Sequence, residues 1–254
     1  MIDTHCHILP NFDDGPKTSE GSLRIAQAAV KQGIHTIIAT PHHATRKYNN
    51  SSSKIIRAVR LLNGKLKKQG IPLTVLPGQE FRLTENYRTD YRKGCIQTLA
   101  DTSYLLVELP SKLIPDYFMD FLAYMNRHHI HIIIAHPERN FEIIKQPAML
   151  QQWLTHGVLL QVTTQSLVGY FGKKIQETAK WICKQRWAHL IASDAHDPVQ
   201  RKFYIREGSK IVVECSGATY LSQLNANAAR LIRGEEIVTA SVNALLEQQR
   251  MDEI

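Results

Sequence analysis

Residues 131-HIIIAHPERN-140 set an unbroken apolar, β-branched run directly against His136, a proline, Arg139 and Asn140. A run this apolar suits a strand covered on both faces, as in a parallel sheet flanked by helices. Similar runs recur along the chain: Met1-Ile2, 36-TIIA-39, 73-LTVL-76, 104-YLLVEL-109, 158-VLLQV-162 and 189-HLIAS-193. Most intervals between them carry a helical pattern. Examples are 19-SEGSLRIAQAAVKQG-33, capped by Thr18 or Ser19 and stopped by Gly33, and 173-KKIQETAKWICKQR-186. Alternating strand and helix argues for an α/β architecture. Seven such units are enough to close a barrel whose working loops lie at the strand C-termini.

The residues at the exit of each run carry the chemistry. In chain order the exits hold His5 and His7; Pro41-His42-His43; Gly78-Gln79-Glu80; Glu108; His136 to Asn140; Thr163-Thr164-Gln165; and Asp194-Ala195-His196. In a barrel these exits share one rim, so residues remote in sequence become neighbours. A lone H-x-H is weak evidence of a metal site. His5-Cys6-His7 at the first strand, with a histidine, glutamate, histidine and D-x-H at later exits, is strong. Residues two apart on extended chain share a face, so His5 and His7 are expected to point together, with Cys6 packed away. His43 is expected to be packed, because consecutive extended residues point opposite ways. His35, His131 and His189 stand at strand starts on the opposite rim and read as structural. His128, His129 and His156 lie near helix ends, where a cation meets the dipole favourably.

The 254 residues carry a formal net charge of +8 and four scattered cysteines. Such a charge favours acidic partners, although the basic stretch 54-KIIRAVRLLNGKLKKQG-70 reads as the solvated face of an amphipathic helix. No run approaches the roughly 18 apolar residues of a membrane helix. A signal peptide would overlap the histidine motif, and the cysteines form no C-x-x-C pair, so free thiols in a reducing cytoplasm are expected. No linker divides the chain, and a single domain over residues 1–254 is expected.

Imidazole and carboxylate without thiolate favour manganese, iron or zinc. The rim carboxylates Asp14, Glu80, Glu108 and Asp194 can bridge adjacent ions. Paired ions clamp a phosphoryl oxygen and generate hydroxide from water, and Arg139 can add a bidentate phosphate donor. These parts suit hydrolysis of a phosphate ester. No cysteine has an arginine six residues on, so the cysteine-nucleophile route is excluded.

The stretches 1-MIDTHCHILPNFDDGP-16, 37-IIATPHH-43, 76-LPGQE-80, 134-IAHPERN-140, 166-SLVGYFGK-173 and 192-ASDAH-196 resemble the polymerase-and-histidinol-phosphatase (PHP) superfamily. Within it, the chain is most similar to the bacterial protein-tyrosine phosphatases of the CpsB and YwqE type. The resemblance implies a distorted (β/α)7 TIM-like barrel and a three-metal, manganese-preferring centre. It implies that His5, His7, Glu80 and Asp194 hold one ion. Glu80 would bridge to a second, completed by Glu108 and His136, and Asp14, His42 and His196 would hold the third. It implies Arg139 and Arg201 as phosphate-binding catalytic arginines, with phosphotyrosine on a bacterial tyrosine autokinase that controls capsule or exopolysaccharide synthesis as substrate. Phenolate, with a reference pKa near 10, leaves more easily than an alkoxide.

Two other readings start from the same residues. One is a small-molecule phosphatase such as a histidinol phosphatase; the DDGP and SLVGYFGK stretches favour the tyrosine branch. The other is a nucleic-acid-binding or nuclease module, which the charge suggests. The basic stretch lacks the interleaved aromatics such a surface uses.

Overall fold

A computed structural model describes residues 1–239; the expected single domain also takes in residues 240–254, which lie outside the described residues. Among the described residues nine strands are interspersed with helices: β1 (Ile2–Cys6), β2 (Thr36–Ala39), β3 (His42–His43), β4 (Thr74–Pro77), β5 (Glu80–Arg82), β6 (Tyr104–Glu108), β7 (His131–Ala135), β8 (Leu159–Thr163) and β9 (Leu190–Ala192). The helices among the described residues are α1 (Ser19–Lys31), α2 (Ser52–Lys68), α3 (Tyr87–Arg92), α4 (Phe118–Arg127), α5 (Phe141–Lys145), α6 (Leu150–Thr155), α7 (Thr164–Leu167), α8 (Lys173–Lys184), α9 (Ile205–Ser216) and α10 (Ala218–Ile232).

All strand pairs are parallel, in the orders β1-β2-β4 and β3-β5-β6-β7-β8-β9. β3 comes after β2 across Thr40-Pro41, and β5 after β4 across Gly78-Gln79, so each pair is one strand position with a break. Beyond β9 the chain returns to β1: Cys6 bridges Ala195, His7 N donates to Ala195 O at 2.9 Å, and Asp194 N donates to His5 O at 2.9 Å. The fold is the expected α/β class with its strands in parallel. Its distortion lies in those two breaks and in the irregular register of β1 between Asp3 and Cys6.

Alternation along the strands sorts the core into layers. On β6 and β7, Leu105, Val107, Ile132 and Ile134 pack outward against Phe118, Phe121 and Met125 of α4. Their neighbours Leu106, Ile133 and Ala135 belong to an inner cluster with Ile38, Leu159 and Leu190. Both sides of each strand are therefore apolar, which is why these runs read as continuous rather than alternating. A separate layer holds Ile25, Ala26 and Ala29 of α1 and Ile55, Val59, Leu62 and Leu66 of α2 against Ile37 and Val75. On α2 the basic residues Lys54, Arg57 and Arg60 face solvent. α1 starts where expected, with Thr18 Oγ1 accepting from Gly21 N at 3.2 Å.

Of the motif-poor region after residue 206, α10 and the segment that follows it to residue 238 cover the rim opposite the strand C-termini. Ala228 and Leu231 of α10 join Leu99, Tyr104 and Ile237 in the inner cluster. Asn227 Nδ2 donates to His189 O at 3.0 Å. His189 itself is buried, and its Nδ1 accepts from Leu160 N at 3.1 Å. No helix of the described residues is long and apolar enough to cross a membrane.

Candidate metal centre

β1 delivers His5 and His7 to the rim, both fully buried. Glu80 opens β5, and Asp194 lies two residues past the end of β9. The four side chains meet at one point. His5 Nε2 lies 3.3 Å from His7 Nε2, 3.4 Å from Glu80 Oε2 and 3.3 Å from Asp194 Oδ1. His7 Nε2 lies 3.2 Å from each of those oxygens.

The far side of each imidazole fixes what faces that point. His5 Nδ1 donates to Gln161 Oε1 at 2.9 Å; Gln161 Nε2 donates to Thr4 Oγ1, so its oxygen is the acceptor. His7 Nδ1 donates to Asp13 Oδ2 at 2.6 Å. In the neutral tautomers both Nε2 atoms therefore aim lone pairs inward, as orienting partners of metal-bound histidines do. Two lone pairs and two carboxylate oxygens about 3.3 Å apart repel unless a cation sits among them. Donors about 2.1 Å from a common ion lie about 3.4 Å apart in a tetrahedron. The residues present fit a divalent ion.

Two further groups share members with the first. His7, Asp14, His42 and His196 form one, and His42, Glu80 and Glu108 the other. His196 Nε2 lies 3.2 Å, and His42 Nε2 3.6 Å, from Asp14 Oδ1. His42 Nδ1 and Glu80 Oε2 are 2.9 Å apart, yet neither makes a hydrogen bond within the described residues, and the same holds for His196 Nε2. Orphaned buried donor and acceptor atoms of this kind are what a shared cation satisfies. His136 stands on the opposite oxygen of Glu80, Nε2 to Oε1 at 2.7 Å, rather than in a group with Glu108. Glu108 Oε2 is held by Arg82 Nη1 at 2.7 Å. His43 joins none of these groups and packs on Phe81, with ring centroids 6.0 Å apart.

The expected extended D-x-H turns out otherwise. β9 ends at Ala192, and Asp194 has φ 53°; His136, at the exit of β7, has φ 34°. Left-handed backbone is uncommon outside glycine, is tolerated better by aspartate and histidine than by most residues, and concentrates at functional sites. The bend turns both side chains into the rim, which strand alternation alone does not.

Charge is concentrated here. Burial by itself disfavours ionised Asp194, but Arg139, His5 and His196 outweigh it and hold its pKa well below the usual carboxylate range. Burial likewise opposes ionisation of Glu80, and His42 and His5 more than compensate. Burial opposes protonation of His42, yet Glu80 raises its pKa to about 9. A cluster that attracts protons this strongly is one that attracts metal cations.

Two arginines flank the cluster. Arg139 Nη1 donates to Asp194 Oδ2 at 2.6 Å, Nη2 to Thr163 Oγ1 at 2.7 Å and Nε to Ser166 Oγ at 3.4 Å. Its guanidinium lies 4.0 Å above the Phe171 ring. Arg201 Nη2 donates to the same Asp194 Oδ2 at 2.9 Å. A turn places it there: Asp197 Oδ1 accepts from Val199 N and Gln200 N, and Oδ2 from Arg201 N at 3.0 Å. Asp194 thus offers Oδ1 to the metal point and Oδ2 to both guanidiniums. Asn140, from the same HPERN stretch, caps α5 by accepting from Glu142 N at 2.9 Å. The resulting cleft, of about 400 Å³, is lined by the polar side chains of Arg139, Arg201, Glu80 and His136 together with Leu109, Pro137, Tyr170 and Phe171.

All of His5, His7, Asp14, His42, Glu80, Glu108, His136, Asp194, His196, Arg139 and Arg201 come to this one rim. The motifs give no role to Asp13, Gln161, Thr163 or Ser166. Asp13 had a signal as the first half of the Asp pair before Gly15, Thr163 as a strand exit and Ser166 as the start of SLVGYFGK. Gln161 sits inside an ordinary-looking strand and had none.

Residues 1–233 match the family described as capsular polysaccharide synthesis, CpsB/CapC. The tyrosine-protein phosphatase YwqE of Bacillus subtilis (strain 168) is 39% identical over 237 residues, covering 93% of each chain. The putative tyrosine-protein phosphatase CapC of Staphylococcus aureus is 36% identical over 210 residues, 82% of this chain and 81% of that one. A solved structure described as YwqE from Bacillus subtilis and CpsB from Streptococcus pneumoniae, unique metal-dependent tyrosine phosphatases, superposes with a TM-score of 0.90 at 39% identity. It covers 94% of this chain and 96% of that one.

Proposed function

The chain belongs to the CpsB/CapC capsular polysaccharide synthesis family, and we propose that it is a metal-dependent protein-tyrosine phosphatase. One observation carries the reading: Asp194 faces four-donor metal geometry with one oxygen and two phosphate-capable guanidiniums with the other.

His5, His7, Glu80 and Asp194 would hold one ion, Glu80 with Glu108 and His136 a second, and Asp14, His42 and His196 a third. His42 lies close enough to Glu80 to contact the second as well. The oxygen and imidazole donors suit manganese, with iron or zinc as substitutes. When bound, such ions polarise phosphoryl oxygens and bring the pKa of water near neutrality. Arg139 engages three of its five N–H donors with protein, leaving two for phosphate. Arg201 Nε has no hydrogen-bond partner within the described residues and adds a second source of positive charge. Both guanidiniums are fixed before substrate arrives, so they stabilise developing phosphoryl charge with little reorganisation. Leu109, Pro137 and Phe171 form the apolar lining on which an aromatic leaving group rests. The phenolate leaves without strong general-acid help.

The substrate is phosphotyrosine on a protein, and the family's place in capsule synthesis favours a bacterial tyrosine autokinase in the cytoplasm. One assay tests this: turnover of phosphotyrosine peptide, phosphoserine peptide and histidinol phosphate, each with manganese, iron and zinc. Highest kcat/KM is expected on phosphotyrosine with manganese. Higher kcat/KM on histidinol phosphate would move the chain to small-molecule chemistry. His136→Ala and Asp194→Ala should abolish turnover while circular dichroism stays native.

A further inference from the structure

A second groove, of about 500 Å³, lies on the other side of the centre and shares His42 and Glu108 with the arginine-lined cleft. Its outer wall is the loop after β3. Thr45 closes that loop on itself: its N donates to Tyr48 O at 3.1 Å, and its Oγ1 accepts from Tyr48 N at 2.9 Å and Lys47 N at 3.3 Å. Buried Asn50 ties the loop base to the centre, its Nδ2 donating to His42 O at 2.9 Å and Phe12 O at 2.8 Å. The Tyr48 ring lies parallel to His42, with centroids 6.0 Å apart and 10° between planes.

A loop held this way presents Arg46 and Lys47 at a set place beside the metal-capable cluster. Both are exposed, and neither side chain has an ion pair or hydrogen bond among the described residues. The one carboxylate lining the groove, Glu108, is already paired with Arg82 at 2.7 Å. The groove is therefore net positive, with two cations that nothing among the described residues neutralises. Free solvated charges are common on surfaces, but here three hydrogen bonds close the loop that carries them and a fourth, Asn50 Nδ2 to His42 O, ties its base to a residue of the centre.

We propose that this groove is a subsite for acidic residues flanking the phosphotyrosine of the substrate chain. The inference rests on the phosphotyrosine reading above and adds to it a sequence preference set by Arg46 and Lys47. Recognition is through exposed ion pairs, so it acts on KM and weakens with salt.

Four substrates test it: phenyl phosphate, histidinol phosphate, a phosphotyrosine peptide flanked by glutamates, and the same peptide with glutamines. Wild-type protein should favour the glutamate peptide about fivefold in kcat/KM, the size expected of two exposed ion pairs. The Arg46→Ala/Lys47→Ala double variant should lose that preference and keep wild-type turnover of phenyl phosphate. Equal kcat/KM of wild type on both peptides, or a preference surviving in the double variant, overturns the inference and leaves the phosphotyrosine reading standing. Loss of phenyl phosphate turnover in the double variant also overturns it, by placing the two residues in the chemistry. Turnover of phenyl phosphate and histidinol phosphate without either peptide overturns the phosphotyrosine reading, and the inference with it.

Discussion

Arg139 is held by Thr163 Oγ1 on one side and Asp194 Oδ2 on another, and Thr163 is in turn held from behind. Buried Glu138 accepts from Thr163 N and from Thr163 Oγ1, each at 3.0 Å. The hydroxyl's proton thus goes to Glu138, and its lone pair is left to face the guanidinium. Replacing Arg139 with alanine removes charge-assisted donors worth about 1.5–3 kcal/mol each. With two such donors on phosphate, kcat/KM should fall more than about 100-fold, while elemental analysis still finds metal at the wild-type level. Thr163→Val should cost about tenfold, mostly in KM, because the guanidinium remains but loses its anchor; Thr163→Ser should recover it. Wild-type KM in Thr163→Val would show the anchor idle. The HPERN stretch announced Arg139 but not Thr163, whose role exists only because β8 runs beside the exit of β7.

At the level of elements, the strand runs were legible because each is apolar on both faces. Their ends were less so. β1 extends to Cys6 instead of stopping at Ile2, and β3 and β5 leave no apolar run to read because each is only two or three residues long. Gly78 marks one of the breaks that make those short strands. A Cβ there would lie 2.5 Å from Ile38 Cγ2 and 2.9 Å from Leu99 Cδ2. Gly78→Ala should lower stability by about 1–3 kcal/mol through overpacking, and should lower activity by displacing Glu80; urea denaturation beside a turnover assay checks both. At the other rim, burial pushes the pKa of His189 down to about 4, from an ordinary 6.5. The unfolded chain binds this proton first, so stability falls as pH drops below about 6.5 and keeps falling until about 4. The effect is of order 3 kcal/mol for a shift of this size. Asp3, raised by burial to about 6, acts in the opposite sense. The His189 part is therefore read as a difference: the unfolding free energy of His189→Gln minus that of wild type should rise as pH drops from about 6.5 to about 4. Parallel pH curves would sink the assignment.

For the whole molecule, the centre packs buried donor atoms together that a divalent cation would satisfy. His5, His7, Glu80 and Asp194 are all buried, and with neutral imidazoles their inward atoms are mutual acceptors. Chelator-treated protein should therefore unfold at a lower temperature, and manganese should restore the wild-type midpoint, since a ligand that binds only the native state stabilises it. An unchanged midpoint after metal removal, verified by elemental analysis, would contradict metal at this point. The α/β class, the strand-to-helix rhythm and the list of residues at the rim were set by local chemistry, because apolar runs, β-branching and the residue after each run are properties of neighbours in sequence. Which donors share an ion, which oxygen of Asp194 faces the arginines, and which glutamine orients His5 were decided only by tertiary structure. His5 and Gln161 are 156 residues apart; nothing along the chain relates them until parallel strands, closing on β1 through Cys6 and Ala195, bring their side chains into one space.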